Sequence, residues 1–379
     1  MTGFIIAGVL LIIAYGFSRL QAGVYSRFWN RNLTYSVSSP TGAVFEGEKT
    51  VITDLLTNGK KLPLPWVHVS YRISRSLQYL DNINRKIDRG ERRSLLYIVG
   101  MNKTVTRKST VLCSKRGYYQ ATGLTLSSNN LLMSNHTGEK AELAFQLLVY
   151  PRLVDYPETV IPFRRMLGDA LARRFIDPDP FTFKGIREYQ PFDSFRQINW
   201  GATARTGVMM SNIYDFTVFS DLTILLNLQN YNCYDKELVF EEAIRLTAFL
   251  CRQCLKMRVP VSLVCPSGDG SPVCISAGSS AAHLEMVYTA LAFIDYNVWN
   301  ESVADHFPTD PGKAFVLISS CHDEDIYERF LSERKRNSGA FWIIPCHARN
   351  EIAITAGEDI FVWEVGAGSA GPANEYAEL

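Results

Sequence analysis

The feature that most constrains this chain is a change in hydrophobic rhythm near residue 220. Before it, Val67, Val69, Tyr71 and Ile73 alternate with His68, Ser70 and Arg72, the period of a strand with one face in a core. Asn58-Gly59, Pro63-Leu64-Pro65 and Lys115-Arg116-Gly117 punctuate the same region as turns. Several short strands over residues 33–126 predict an all-β sandwich of immunoglobulin-like architecture, without a Cys…Trp…Cys framework. After residue 220, apolar runs at 222–226, 259–265, 314–319, 341–344 and 360–365 alternate with helical patterns at 236–257, 281–295 and 324–336. That alternation predicts a parallel sheet with helices on both faces, and such sheets bind ligands beyond the C-terminal ends of their strands. The expected fold is therefore mixed: a β-sandwich over 32–150, a linking segment over 151–219, and an α/β domain over 220–365. The small, polar tail 366–379 is expected to be disordered.

The apolar run from Phe4 to Phe17 precedes the first strand, and no basic residue comes before it. A cleaved signal peptide would carry a basic n-region, so the reading is an uncleaved membrane anchor helix over 1–20. Arg19, Arg27 and Arg31 follow the run, and the positive-inside rule then places the bulk of the chain on the cytoplasmic side of a single-pass protein. Cysteine usage agrees with a reducing compartment. Cys251 and Cys254 fall on the helical stripe of Phe240, Ala243, Ile244, Thr247, Ala248 and Leu255, and the other cysteines form no disulfide framework.

Charge is divided along the chain. Residues 1–140 carry 19 Lys and Arg against 7 Asp and Glu, whereas residues 206–379 carry 11 against 23. This excludes a uniformly basic nucleic-acid binder. A basic sandwich beside an anchor is accounted for by the anionic cytoplasmic leaflet, with the acidic domain projecting toward soluble partners. The chain has no phosphate-binding Gly-x-x-x-x-Gly-Lys loop, no His-Glu-x-x-His and no Gly-x-Ser-x-Gly elbow.

Between the two halves, residues 183–205 concentrate chemistry. Asp193 suits the N-cap of a short helical turn, and Arg196 stands three residues on, in reach of its carboxylate. Arg187, Arg196 and Arg205 supply planar, bidentate donors. They serve either a buried polar hinge or a site for an anion or a partner's carboxylate.

The progression Gly185, Arg187, Tyr189, Asp193, Arg196, Ile198, Trp200, Ala204, Arg205 resembles the signature of the family called domain of unknown function 58. The resemblance extends to Phe45-Glu46-Gly47-Glu48, Leu62-Pro63-Leu64-Pro65-Trp66, Lys115-Arg116-Gly117-Tyr118 and Val149-Tyr150-Pro151. It implies a membrane-tethered protein with a β-sandwich and a von Willebrand factor A-like, Rossmann-type domain. Such proteins are encoded beside a MoxR-type AAA+ ATPase, and the family has no established reaction. Two departures stand out: one membrane helix where many members have two, and Ser128-Asn129-Asn130-Leu131-Leu132 in place of an Asp-Pro-Phe-Gly stretch.

An A-type domain with a working metal site carries Asp-x-Ser-x-Ser after its first strand, because hard cations want oxygen ligands. Here Asn227, Gln229 and Tyr231 occupy those positions, so the metal site is read as degenerate and no cofactor is expected. Asp323, Glu324 and Asp325 read as the start of a helix. Cys321-His322 and Cys346-His347 follow two strands and form a second constellation, for zinc or for a thiol nucleophile with its base. The expected function is a membrane-anchored, non-enzymatic adaptor or scaffold. Its A-type domain would bind protein partners, among them a MoxR-type ATPase, in assembly or maturation of envelope-associated complexes. The competing expectation is a metal-dependent or thiol enzyme at the sheet rim.

Overall fold

A computed structural model describes residues 2–80, 92–129, 136–157, 159–160, 163–166, 183–191, 193–214, 221–229, 234–268, 271–295, 303–308, 313–337, 339–349 and 359–365. The chain divides into two compact units, Met1–Arg152 and Leu153–Leu379. The tail 366–379, expected to be disordered, and Tyr231 lie outside the described residues, as do 130–132 of the stretch that departs from the family pattern.

The first unit opens with helix α1 (Thr2–Phe28), which runs past the expected end at residue 20. Its 27 residues extend roughly 40 Å at 1.5 Å per residue. Gly8–Phe28 is long and apolar enough to cross a membrane. Ile12, Ile13, Phe17 and Leu20 are exposed, whereas Tyr25 and the following Trp29 are buried in the sandwich core. The Tyr25 hydroxyl donates to the Pro63 carbonyl, Lys60 Nζ donates to the Arg31 carbonyl at 2.7 Å, and Gly59 N–H donates to the Asn32 carbonyl at 2.8 Å. Asn32 turns the chain into the first strand with φ 49°, a left-handed conformation that asparagine tolerates. The helix is thus anchored to the sandwich by its last turn.

Two four-stranded antiparallel sheets form the sandwich. One has the order β1 (Leu33–Ser38), β3 (Lys49–Asn58), β7 (Lys103–Cys113), β5 (Leu77–Tyr79). The other has the order β10 (His136–Ala141), β9 (Thr122–Asn129), β4 (Leu64–Arg72), β6 (Arg92–Val99). A smaller sheet joins β2 (Ala43–Phe45), β11 (Gln146–Tyr150) and β8 (Gly117–Gln120). Val67, Val69 and Tyr71 of β4 face the core as their alternation predicts. Ser70, on the opposite face, is buried as well, because its strand is internal and Ser94 and Thr125 flank it in register.

Inside the sandwich sits a polar cluster. Asp54 (β3) and Arg93 (β6) are buried and joined by Arg93 Nη2 to Asp54 Oδ2 at 2.9 Å, which ties one sheet to the other. Tyr35 and Tyr71 donate to Asp54 Oδ1 at 2.7 and 3.1 Å, Arg93 also donates to Ser109 Oγ at 2.7 Å, and its guanidinium lies 3.8 Å from the Tyr79 ring centroid. Burial and the Asp54 charge push all the neighbouring phenols up, Tyr97 to about 12.

The second unit is built on a six-stranded sheet. Its strands are β14 (Leu222–Asn227), β15 (Val261–Pro266), β16 (Pro272–Gly278), β17 (Ala314–Ser319), β18 (Gly339–His347) and β19 (Ile360–Val365), in the order β16-β15-β14-β17-β18-β19. All neighbours are parallel except β16, which pairs antiparallel with β15. The expectation of a parallel sheet is corrected at this edge. β16 was not foreseen: its apolar stretch is only Val273-Cys274-Ile275, and Ile275 alone of its residues is buried. Every residue of β14 and β17 is buried, as befits central strands covered on both faces. The helices are α3 (Lys236–Lys256), α4 (Ala281–Phe293) and α5 (Glu324–Arg336), with the shorter α2 (Trp200–Thr206) before the sheet. Cys251 and Cys254 lie on the buried face of α3, as the stripe predicted, and burial pushes Cys254 to about 12.

Candidate functional site

Strand order reverses between β14 and β17, which start adjacent and lead off to opposite sides; crevices at such points hold ligands in open α/β sheets. The two strands end in register on Asn227 and Ser319. Asn227 Nδ2 donates to Ser319 Oγ at 3.0 Å, Ser319 Oγ donates to the Cys321 carbonyl at 2.8 Å, and Gln229 N–H donates to Asn227 Oδ1 at 3.1 Å. Both Asn227 and Ser319 are fully buried. The Asn227 amide thus has both its donor and its acceptor engaged within the protein. Gln229 enters this arrangement through its backbone.

Among the described residues the Cys–His constellation does not gather as a metal site. Cys321 Sγ donates to Asp323 Oδ1 at 2.6 Å, and burial first, with the Asp323 carboxylate second, pushes this thiol up to about 12. Asp323 stands at the N-cap of α5 without capping it, because its carboxylate takes the thiol instead; Glu324 and Asp325 occupy the first turn, as expected. His322 Nδ1 donates to the Ser320 carbonyl at 3.0 Å. Cys346 lies within β18 rather than after it, buried with its sulfur 3.6 Å from the Trp363 carbonyl of β19. His347 accepts from Arg349 N–H at 3.2 Å and packs on the Tyr234 ring at 4.8 Å between centroids. Among the described residues no three His, Cys, Asp or Glu side chains converge on a point that could hold a metal ion.

The signature residues make a separate lobe. β12 (Phe183–Glu188) pairs antiparallel with β13 (Met210–Tyr214), and between them the chain forms a 3-10 turn, Phe195–Gln197, followed by α2. Arg187 clasps Asp193 with two hydrogen bonds, and Gln190 N–H donates to Asp193 Oδ2 at 2.9 Å. The sequence expectation that Arg196 pairs with Asp193, and that Asp193 caps the turn, is corrected. Arg187 is the partner, and Ser194 caps the turn through its Oγ. The guanidinium holds the Asp193 carboxyl below its ordinary range, with the Gln190 amide assisting. Tyr189 donates to the Asp193 carbonyl at 3.1 Å and its ring lies 5.9 Å from that of Phe195. Ile198 is buried and bridges to Ser211. Asn199 caps α2 by accepting from Ala202 N–H at 2.9 Å and donates to Asn212 Oδ1 at 2.8 Å. Gly207 ends the helix at φ 75°, where a side chain would be strained. Gly185 pairs with Ile213 directly after a register shift between Phe183 and Gly185 in the β12–β13 ladder. Trp200, Ala204 and Arg205 point away from the body, and Trp200 is 69% exposed.

Sequence reasoning missed the Asp54–Arg93 cluster, although its signal is legible. Asp54 is in phase with Ile52 and Leu56, and Arg93 with Leu95 and Tyr97, so both polar residues fall on core-facing positions. It also missed Ser319, which is invisible without knowing that β14 and β17 are neighbours.

No family model and no curated protein matches the chain. Some solved structures are similar to part of it. The CARDB domain of the PF1109 protein from Pyrococcus furiosus, in complex with di-metal ions, is 11% identical over 31% of this chain and 93% of its own, with a TM-score of 0.19. The seventh ScaB type I cohesin from Pseudobacteroides cellulosolvens is 15% identical over 32% of this chain and 97% of its own, with a TM-score of 0.23. Spo0M, a sporulation control protein from Bacillus subtilis, is 10% identical over 42% of this chain and 58% of its own, with a TM-score of 0.18.

Proposed function

We propose that this chain is a membrane-anchored, non-enzymatic adaptor of the domain of unknown function 58 type. Its α/β unit is read as von Willebrand factor A-like and presents its sheet rim to protein partners, among them a MoxR-type AAA+ ATPase, during assembly or maturation of envelope-associated complexes. The bulk of the chain faces the cytoplasm behind a single membrane helix.

The observation that carries this reading is α1, which exposes Ile12, Ile13 and Phe17 along a length matching a bilayer core of about 30 Å while burying Tyr25 and Trp29 in the sandwich. A helix so joined transmits position from lipid to sandwich without a flexible tether. The closed Asn227–Ser319 pair supports a rim that recognises protein groups without a coordinated cation. The raised Cys321 thiol weighs against nucleophilic use of the rim, since the thiolate is the reactive species.

Affinity capture of the full chain from native membranes in ATP and Mg²⁺ tests the partner, and co-purification of an AAA+ ATPase of the MoxR type is the expected result. Orientation is tested through Cys274, an exposed free thiol. In intact cells it should resist an impermeant maleimide and react after permeabilisation. Labelling without permeabilisation would refute the cytoplasmic placement.

A further inference from the structure

We propose that the β12–β13 lobe is a second docking surface, made for a protein segment in which acidic side chains flank large apolar ones. Phe195 is 75% exposed and Trp200 69%, on a lobe that is otherwise closed by hydrogen bonds. Exposed aromatic side chains of this size on an ordered scaffold are a hallmark of interaction sites, where Trp and Arg carry most of the binding energy.

The helix geometry adds a shape. At 100° per residue, the outward arc of α2 holds Trp200, Gly201, Ala204 and Arg205, while Ala202 and Thr203 face the body. The indole and the guanidinium therefore bound the two edges of an arc whose middle carries only small residues. The Arg205 guanidinium folds back over Gly201, with Nη2 4.0 Å from where a Cβ there would stand, so a side chain laid on Ala204 would meet Trp200 on one side and this guanidinium on the other.

The charges choose the occupant. Arg187 is neutralised within the lobe by Asp193. Arg196 is exposed and its guanidinium has no carboxylate partner among the described residues, and Arg205 Nε is held only by the Gly201 carbonyl at 3.2 Å. Two guanidiniums beside exposed aromatics match carboxylates next to apolar side chains. A bilayer fits less well. The second unit as a whole carries 19 Lys and Arg against 30 Asp and Glu, and an anionic plane would meet that whole charge. A peptide meets only the lobe, within a screening length of about 8 Å. Because the lobe is already ordered, little conformational entropy opposes binding. This surface shares no residue with the sheet rim, so the proposal stands or falls independently of the rim's partner.

The test is selection of phage-displayed random dodecapeptides on the full chain in phosphatidylcholine nanodiscs. Enriched peptides should pair Asp or Glu with Leu, Phe or Trp. A synthetic copy should bind Trp200→Ala and the Arg196→Glu/Arg205→Glu double variant about tenfold or more weakly than wild type. Trp200→Phe should retain most of the affinity, and unchanged melting of the alanine variant would show that the exposed site was altered without unfolding. No enrichment over empty nanodiscs, or equal binding by Trp200→Ala, overturns the proposal. It is also overturned if sedimentation shows self-association that Trp200→Ala abolishes, which makes a second copy the occupant. Quenching of Trp200 by brominated phosphatidylglycerol in an anionic nanodisc, in the absence of peptide binding, makes it lipid.

Discussion

The Arg187 guanidinium meets the Asp193 carboxylate head-on, Nη1 to Oδ2 at 2.7 Å and Nη2 to Oδ1 at 2.5 Å, and so closes the loop from Arg187 to Asp193 at the end of β12. The Asp193 side chain is only 5% exposed although the loop is at the surface. The pair converts a turn into a fixed platform for the 3-10 turn and α2.

Asp193 titrates below its ordinary value of 3.8, so its ionised form is favoured by the folded lobe. The stabilisation is fully present above pH 3.8 and is lost as pH falls through the lower, folded-state pKa. Arg187→Ala removes the main cause. The Asp193 carboxyl, followed by carbon-detected NMR, should then titrate higher than in the wild type, and amide exchange at Gln190 and Asp193 should accelerate at neutral pH. An unmoved titration would show that the clasp does not set the charge.

The Asp54–Arg93 pair predicts an asymmetry. Asp54→Ala leaves a buried guanidinium without its counter-charge and two tyrosine hydroxyls without an acceptor, and should cost about 3–5 kcal/mol in urea unfolding. Replacing both partners together, Asp54→Leu with Arg93→Met, should recover most of that loss, because an apolar pair removes the desolvation penalty as well as the attraction. A single variant within about 1 kcal/mol of wild type would contradict a dry, closed cluster.

Trp29 belongs to the sandwich, not to the bilayer. Trp29→Ala should destabilise the first unit by about 3–5 kcal/mol while the protein stays in the membrane pellet after alkaline carbonate. Tyr25→Phe removes one hydrogen bond, to Pro63, and should cost about 1 kcal/mol. Release from the membrane by either change would mean that the end of α1 is part of the anchor.

Placing a carboxylate at the rim should not create a metal site. Asn227→Asp loses the donor to Ser319 and buries a charge, so the melting temperature should fall, by an amount corresponding to about 1–3 kcal/mol. Adding Mg²⁺ should leave it unchanged, since among the described residues no group of three or more His, Cys, Asp or Glu is placed to hold a metal ion. A Mg²⁺-dependent rise in melting temperature would overturn the reading of a closed rim.

Thiol reactivity separates by burial. At pH 7.5 exposed Cys274 should alkylate readily, while Cys321 and Cys254, pushed up to about 12, should react only on unfolding. Rapid modification of Cys321 in the folded protein would reopen the nucleophile reading.

Element type was legible where burial is written into a single segment. Continuous apolar runs predicted β17 and β19, and a helical pattern predicted α5, with the bounds observed: a central strand covered on both faces is apolar throughout, and a helix with one buried face carries its period in its own residues. β16 was missed for the converse reason: it lies at an edge with little buried face, and its pattern is faint. The end of α1 was misplaced because residues 21–28 are neither uniformly apolar nor strongly polar. Only contact with Pro63 and the sandwich core makes Tyr25 an interior residue.

The amino-acid order by itself determined the two architectures, the apolar helix ahead of them, and the cluster of arginines and aromatics at 183–205, since these depend on composition and period within single segments. Tertiary structure alone decided that Asp193 pairs with Arg187 and not Arg196, that Asn227 meets Ser319, and that Asp54 meets Arg93. Each is a pairing between residues whose distance depends on how separate strands or turns are brought together. A side chain's chemistry limits which partners it can take, but the closure of the backbone selects among them.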